Sequence, residues 1–126
     1  MARLYKVALD TNMLLYITSH KIDVFAEIRK NFGNVIFIVP QSVRNELERL
    51  RKVNANRAKQ VNIAEQLMKK NQVKIIKLSN DADNDLLELA KQGTIVATND
   101  KELKKRIKDF GGRVIYLRKK KLIEVM

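Results

Sequence analysis

Short β-branched apolar runs alternating with longer stretches of helical period constrain this chain more than any other feature. The runs are Lys6–Leu9, Val35–Val39, Val73–Leu78, Thr94–Ala97 and Val114–Leu117. Each is nearly continuous in apolar character, as a strand covered on both faces should be. Between them, apolar residues recur at helical spacing over Asp23–Phe32, Ser42–Val53, Ala55–Lys70, Asn84–Lys91 and Asp100–Phe110. Gly33 and Gly93 close two of these stretches, and Gly111-Gly112 supplies a turn after the last. Alternation of this kind predicts an open three-layer α/β/α sandwich around a parallel sheet of about five strands. Ser42–Val53 and Ala55–Lys70 follow one another directly and read as a helical hairpin. No repeat or linker interrupts residues 1–126, so a single domain is expected.

Within that frame the stretch "KVALDTNMLLY", residues 6–16, poses a question. A buried strand ends on Asp10, where a charge is costly unless something pairs with it. Three more acids hold equivalent places. Glu46 lies about one turn into the helix after the second strand, Asp83 opens the helix after the third, and Asp100 directly follows the fourth in "VATND". In open parallel sheets the carboxyl ends of the strands form the crevice where ligands bind. Carboxylates converging there repel one another, and some stay protonated unless a cation neutralises them. Hard oxygen donors without Cys or His nearby suit Mg²⁺ or Mn²⁺, as one ion or two.

Each acid also has a plainer reading. An aspartate after a strand is a normal helix cap; Asn99 with Glu102 fits a capping box, and Asp81, Asp83 or Asp85 in "SNDADND" fits a cap equally well. Glu46 fits a solvated helix face. Asp10 resists this most, because the apolar Leu14-Leu15-Tyr16 behind it demands burial.

The charge balance points to a partner. Lys and Arg number 26 against 14 acids, for a formal net charge of +12. Such a domain commonly meets a polyanion, and nucleic acid is the commonest. Lysine-rich solubility of the thermophile kind is the plainer alternative. With only 6% aromatic residues, base stacking is not prominent. The absence of cysteine excludes disulfides and thiolate zinc. No run is long enough to span a bilayer and no secretory signal opens the chain, so a cytoplasmic address without membrane contact is expected. The single histidine, His20 in the loop "TSHKID", reads as a surface residue, which leaves no His/His pair for metal-free RNA cleavage. No P-loop is present.

"LDTNMLL", "VPQSVRNELERL", "DNDLLELA" and "IVATNDKELKKRI…VIYLR" together resemble the PIN-domain ribonucleases over essentially the whole chain. The likeness is to the archaeal and ribosomal-RNA-processing type, and more distantly to the toxin nucleases of toxin–antitoxin pairs. It implies Mg²⁺- or Mn²⁺-dependent hydrolysis of RNA, as in ribosomal RNA processing or RNA turnover, often by a homodimer. Its four acids fall on Asp10, Glu46, Asp83 and Asp100. On that resemblance Asp10, Asp83 and Asp100 hold metal, and Glu46 orients or deprotonates the attacking water. Thr11, Asn12, Thr98 and Asn99 fix the carboxylates by hydrogen bonds. Where relatives often carry two adjacent aspartates this chain reads Asp83-Asn84-Asp85, which makes Asp85 the alternative third acid. Ser42 stands where it could meet a phosphate or cap its helix.

Two basic clusters are candidates for RNA contact. One contains Lys104, Lys105, Arg106, Lys108, Arg118, Lys119, Lys120 and Lys121; the other contains Arg44, Arg49, Arg51, Lys52, Arg57 and Lys59 on the helical hairpin. The terminal "LIEVM" fits either an added strand or a partner-facing segment. A protein inhibitor or a ribosome-assembly protein is the further partner the resemblance leaves open. Three other functions compete: a non-catalytic RNA-binding module, a toxin nuclease held by an antitoxin, and a phosphatase with an aspartate nucleophile. The last expects a second aspartate where this chain has Asn12.

Overall fold

A computed structural model describes residues 3–125. In chain order it contains β1 (Tyr5–Leu9), α1 (Thr11–Ser19), α2 (Val24–Phe32), β2 (Val35–Pro40), α3 (Gln41–Arg51), α4 (Ala55–Lys70), β3 (Lys74–Ile76), α5 (Ala82–Lys91), β4 (Ile95–Ala97), α6 (Lys101–Asp109), β5 (Val114–Arg118) and β6 (Lys121–Val125). These build a three-layer α/β sandwich whose sheet runs β3-β2-β1-β4-β5-β6. The first five strands are parallel, and β6 lies antiparallel to β5 at the edge. β1 is central: Val7, Ala8 and Leu9 have no exposed surface, as the continuous apolar run requires. Phe25 of α2 meets Phe37 of β2 edge-on, with ring centroids 4.8 Å apart, and locks one helical layer to the sheet. Among the described residues, no helix is long and apolar enough to cross a membrane.

Chain order reverses direction between β1 and β4. β2 and β3 extend the sheet on one side, β4 and β5 on the other. The register places Leu9 beside Ala97, so the residues that follow, Asp10 and Thr98, leave the sheet side by side at this switch point.

Three elements differ from the sequence-based expectation. The sequence suggests no helix between Leu9 and Asp23, yet α1 fills most of that span. Its buried residues Met13, Leu14, Leu15 and Ile17 are nearly consecutive, so it lacks the stripe that reveals a half-exposed helix. The expected strand Val73–Leu78 shortens to Lys74–Ile76 at the sheet margin. "LIEVM" adds a strand: Leu122 is buried, and the Asn31 side-chain amide donates to its carbonyl at 3.0 Å. Met126 lies outside the described residues.

Candidate active site

Asp10 is both the end of β1 and the N-cap of α1. Its Oδ1 accepts the Met13 backbone N–H at 2.7 Å, and its Oδ2 accepts the Thr98 hydroxyl. The helix cap and the buried acid of the sequence reading are thus one residue. Only 9% of Asp10 is exposed. Burial pushes its pKa up to about 6, the charges of Asp100 and Asp83 push the same way, and the Thr98 and Met13 bonds restrain the rise.

Thr98 couples two acids through one hydroxyl. While donating to Asp10, it accepts the Asp100 backbone N–H at 3.0 Å. Asp100 in turn caps α6, its Oδ1 accepting from Leu103 N–H at 2.9 Å. The cap of α6 is therefore Asp100, and the expected Asn99–Glu102 capping box does not form. Asn99 faces the other way. Its side-chain amide donates to the Leu117 carbonyl at 2.9 Å and accepts the Leu117 N–H at 2.7 Å, clamping the end of β5.

Glu46 reaches toward β1 from α3, and its Oε1 accepts the Thr11 hydroxyl at 2.7 Å. Asp83 sits exposed in the first turn of α5, where the helix dipole favours an anion. Partial burial raises its pKa, followed by the charges of Asp100, Asp81 and Glu46, with Arg106 opposing. Asp10, Thr11, Asn12, Glu46, Asp83 and Asp100 line one cleft of about 430 Å³, with Arg49, Leu50, Ala82 and Leu86 completing its wall. The acids of four successive crossovers thus share one crevice.

Other residues marked in the sequence stand apart. Asp85 has no exposed surface; it accepts the Ser42 hydroxyl at 2.5 Å and the Asn80 N–H at 3.0 Å, tying α5 to α3 behind the cleft. Ser42 serves that brace, whereas the sequence reading has it cap α3 or meet a phosphate. Arg51 is engaged by Glu48, Glu65 and Asn62. Arg44 lines a different hollow with Glu65 and Lys69. Lys52, Lys105, Arg118 and Lys119 are exposed, and the Lys104 ammonium lies 4.6 Å from the Tyr116 ring centroid. Arg49 is the cation that enters the cleft wall. The sequence names it only as one member of the hairpin's basic cluster; its spacing of three residues from Glu46 on one helix, which puts both on the same face, is what separates it from the rest.

The donors on the cleft are carboxylate and side-chain oxygens, the set that hard divalent cations prefer. Among the described residues, no three acids or imidazoles are gathered into a ready-made cage.

A family model described as "PIN like domain" matches residues 7–120. Ribonuclease VapC4 of Methanocaldococcus jannaschii is 38% identical, with 97% of each chain covered. Ribonuclease VapC9 of Archaeoglobus fulgidus is 35% identical over 92% of this chain and 85% of its own. Among solved structures, the PIN domain endonuclease Utp24 superposes with a TM-score of 0.76 at 26% identity, covering 94% of this chain and 89% of that one. With that family's pattern running from residue 7 to residue 120, on a fold shared with a PIN endonuclease, the chain belongs to the PIN-domain family.

Proposed function

We propose that this protein is an RNA endonuclease that hydrolyses phosphodiester bonds with the help of Mg²⁺ or Mn²⁺. One observation carries the reading: four carboxylates from four crossovers line one cleft at the switch point of a chain whose net charge is +12. Two curated relatives bear the name ribonuclease, and a structural neighbour is called an endonuclease.

Asp10, Asp83 and Asp100 would hold the cation. When bound, such an ion lowers the pKa of a coordinated water and stabilises the leaving oxygen of a phosphodiester. The protein's own groups do the rest. Thr98 fixes the Asp10 carboxylate, and Thr11 fixes Glu46 so that its other oxygen can accept a proton from the attacking water. Arg49 offers a positive group to the phosphate at the cleft wall, and Leu50 and Leu86 lower the local dielectric.

Cleavage of an end-labelled RNA, with Mg²⁺, Mn²⁺ or EDTA, compares wild type with Asp10→Asn. The expected result is metal-dependent internal cleavage that falls in the variant by more than the roughly 10- to 100-fold that outer partners of a metal site cost. Equal cleavage by both proteins would locate the activity in a contaminant. Tight, salt-dependent RNA binding by both without cleavage would replace the enzyme with an RNA-binding module.

A further inference from the structure

The connection between β5 and β6 is two residues long, Lys119-Lys120, and φ is positive at both, 48° and 63°. This is the type I′ hairpin pattern, which strongly favours Asn-Gly because side chains beyond Asn resist the left-handed region. Lysine is a poor choice for either position, yet both are lysine. Isolated positive-φ residues occur at Lys21 and Gln72, but only here do two stand in succession among the described residues. With Arg118 and Lys121 the tip presents a run of cations, all exposed.

Its location is not arbitrary. β5 is parallel to β4 and β1, so its carboxyl end opens on the same edge of the sheet as Asp10 and Asp100. The Asn99 amide clamps Leu117 by two hydrogen bonds. One residue beyond each side of that clamp stand Asp100, on the cleft, and Arg118, at the base of the cationic tip. The spacing between acid and cations is thereby fixed.

We propose that the Arg118–Lys121 tip is a clamp for the substrate's phosphodiester backbone, registered to the cleft by Asn99, and that the turn keeps two strained lysines for their charge. The inference rests on the reading of the chain as an RNA hydrolase. Strain that persists in an exposed turn, where better residues exist, points to a use for the side chains. The cations follow the carboxyl end of β5, on the sheet edge that also carries Asp10 and Asp100, where they offset the repulsion those acids exert on an RNA backbone.

The test is the double variant Lys119→Asn with Lys120→Gly, which installs the preferred turn while removing both charges. Binding of a fluorescent, mixed-sequence single-stranded oligoribonucleotide is titrated in EDTA over a range of salt, and melting is followed in parallel. The variant should melt a few degrees higher. Its RNA affinity should fall roughly 10- to 30-fold at about 0.1 M salt, with the slope of log K against log salt shallower by about 1.4. A second variant, Lys119→Gln with Lys120→Gln, leaves the strained turn in place and should lose the same affinity without the stability gain. Unchanged affinity and slope in both variants would overturn the proposal and leave a merely solvated turn. A wild type that binds no RNA in EDTA or in Mg²⁺ and cleaves none would instead sink the hydrolase reading itself.

Discussion

Two aspartates of this protein are buried, and they serve opposite ends. Asp10 sits where β1 leaves the sheet, 9% exposed, with that remainder opening on the cleft and with Asp83 and Asp100 near enough to raise its pKa. Asp85 sits between α3 and α5, fully enclosed and off the cleft, with Ser42 and the Asn80 N–H on its two oxygens. Burial alone therefore distinguishes nothing. Each bridges two elements, but Asp85 faces only its donors, whereas Asp10 also opens on Asp83 and Asp100, and its burial together with those charges makes its ionised form costly until a cation sits beside it.

The sharpest way to break this contrast is Asp10→Asn. Activity should collapse, as above, while stability in metal-free buffer should rise. Below about pH 4 Asp10 is protonated in both folded and unfolded chains and contributes nothing either way. Between there and its folded pKa of about 6 the unfolded chain has lost the proton and the folded one has kept it, so stability falls as pH rises. Above that range the ionised group costs roughly 3 kcal/mol. The asparagine variant escapes this penalty, less the cost of an imperfect partner for Thr98, for a net gain of about 2 kcal/mol at neutral pH. Urea melts of both proteins from pH 4 to pH 8 should show the variant about 1 kcal/mol the less stable at the acid end, with the difference changing sign as pH rises and levelling off near neutrality. Adding Mg²⁺ should stabilise the wild type alone. A variant less stable than wild type at pH 8 would make Asp10 a fastener like Asp85.

Ser42→Ala probes the other aspartate. It leaves one oxygen of a buried charge without its hydroxyl donor, at a cost of about 1–3 kcal/mol. Because Asp85 ties α5 to α3, cleavage should fall only about tenfold, through looser placement of Asp83 and Glu46. Melting and single-turnover cleavage on the same preparations check both. Full activity with the expected loss of stability would show that the brace holds the fold without tuning the cleft.

The frame and the edge were legible in the sequence because both rest on local pattern. Continuous β-branched runs marked the central strands, and Asp10, Glu46 and Asp100 could be placed on the edge from their position after each run. What could not be read depended on partners far along the chain. α1 has its apolar residues bunched, so only the packing that buries Met13 to Ile17 makes it a helix. Asp83 and Asp85 differ by two residues and by helix face, and which face turns inward was settled by Ser42, 43 residues earlier. Asn99 fitted a local cap, but its amide matched the free backbone of Leu117 better, and Asp100 was left to cap α6. Among the cations, Arg51 was spent on acids of its own helical hairpin, a pairing that depends on how α3 and α4 lie together.

The smallest effect, and the finest test of the contrast, concerns Thr11. Its hydroxyl holds Glu46 across the gap between α1 and α3 at 2.7 Å, and both groups line the cleft. Thr11→Val keeps the shape and removes the donor. Glu46 is only half-buried, so water can replace the lost partner and stability should change by less than about 1 kcal/mol. Catalysis should feel more than stability does, because a carboxylate free to rotate aims less well at the attacking water. A fall of about three- to tenfold in kcat with KM unchanged is expected, with Thr11→Ser restoring most of it. If instead KM rises and kcat holds, Thr11 and Glu46 act on substrate binding. Glu46 would then be a rim acid, and Asp10, Asp83 and Asp100 would form the reactive set without it.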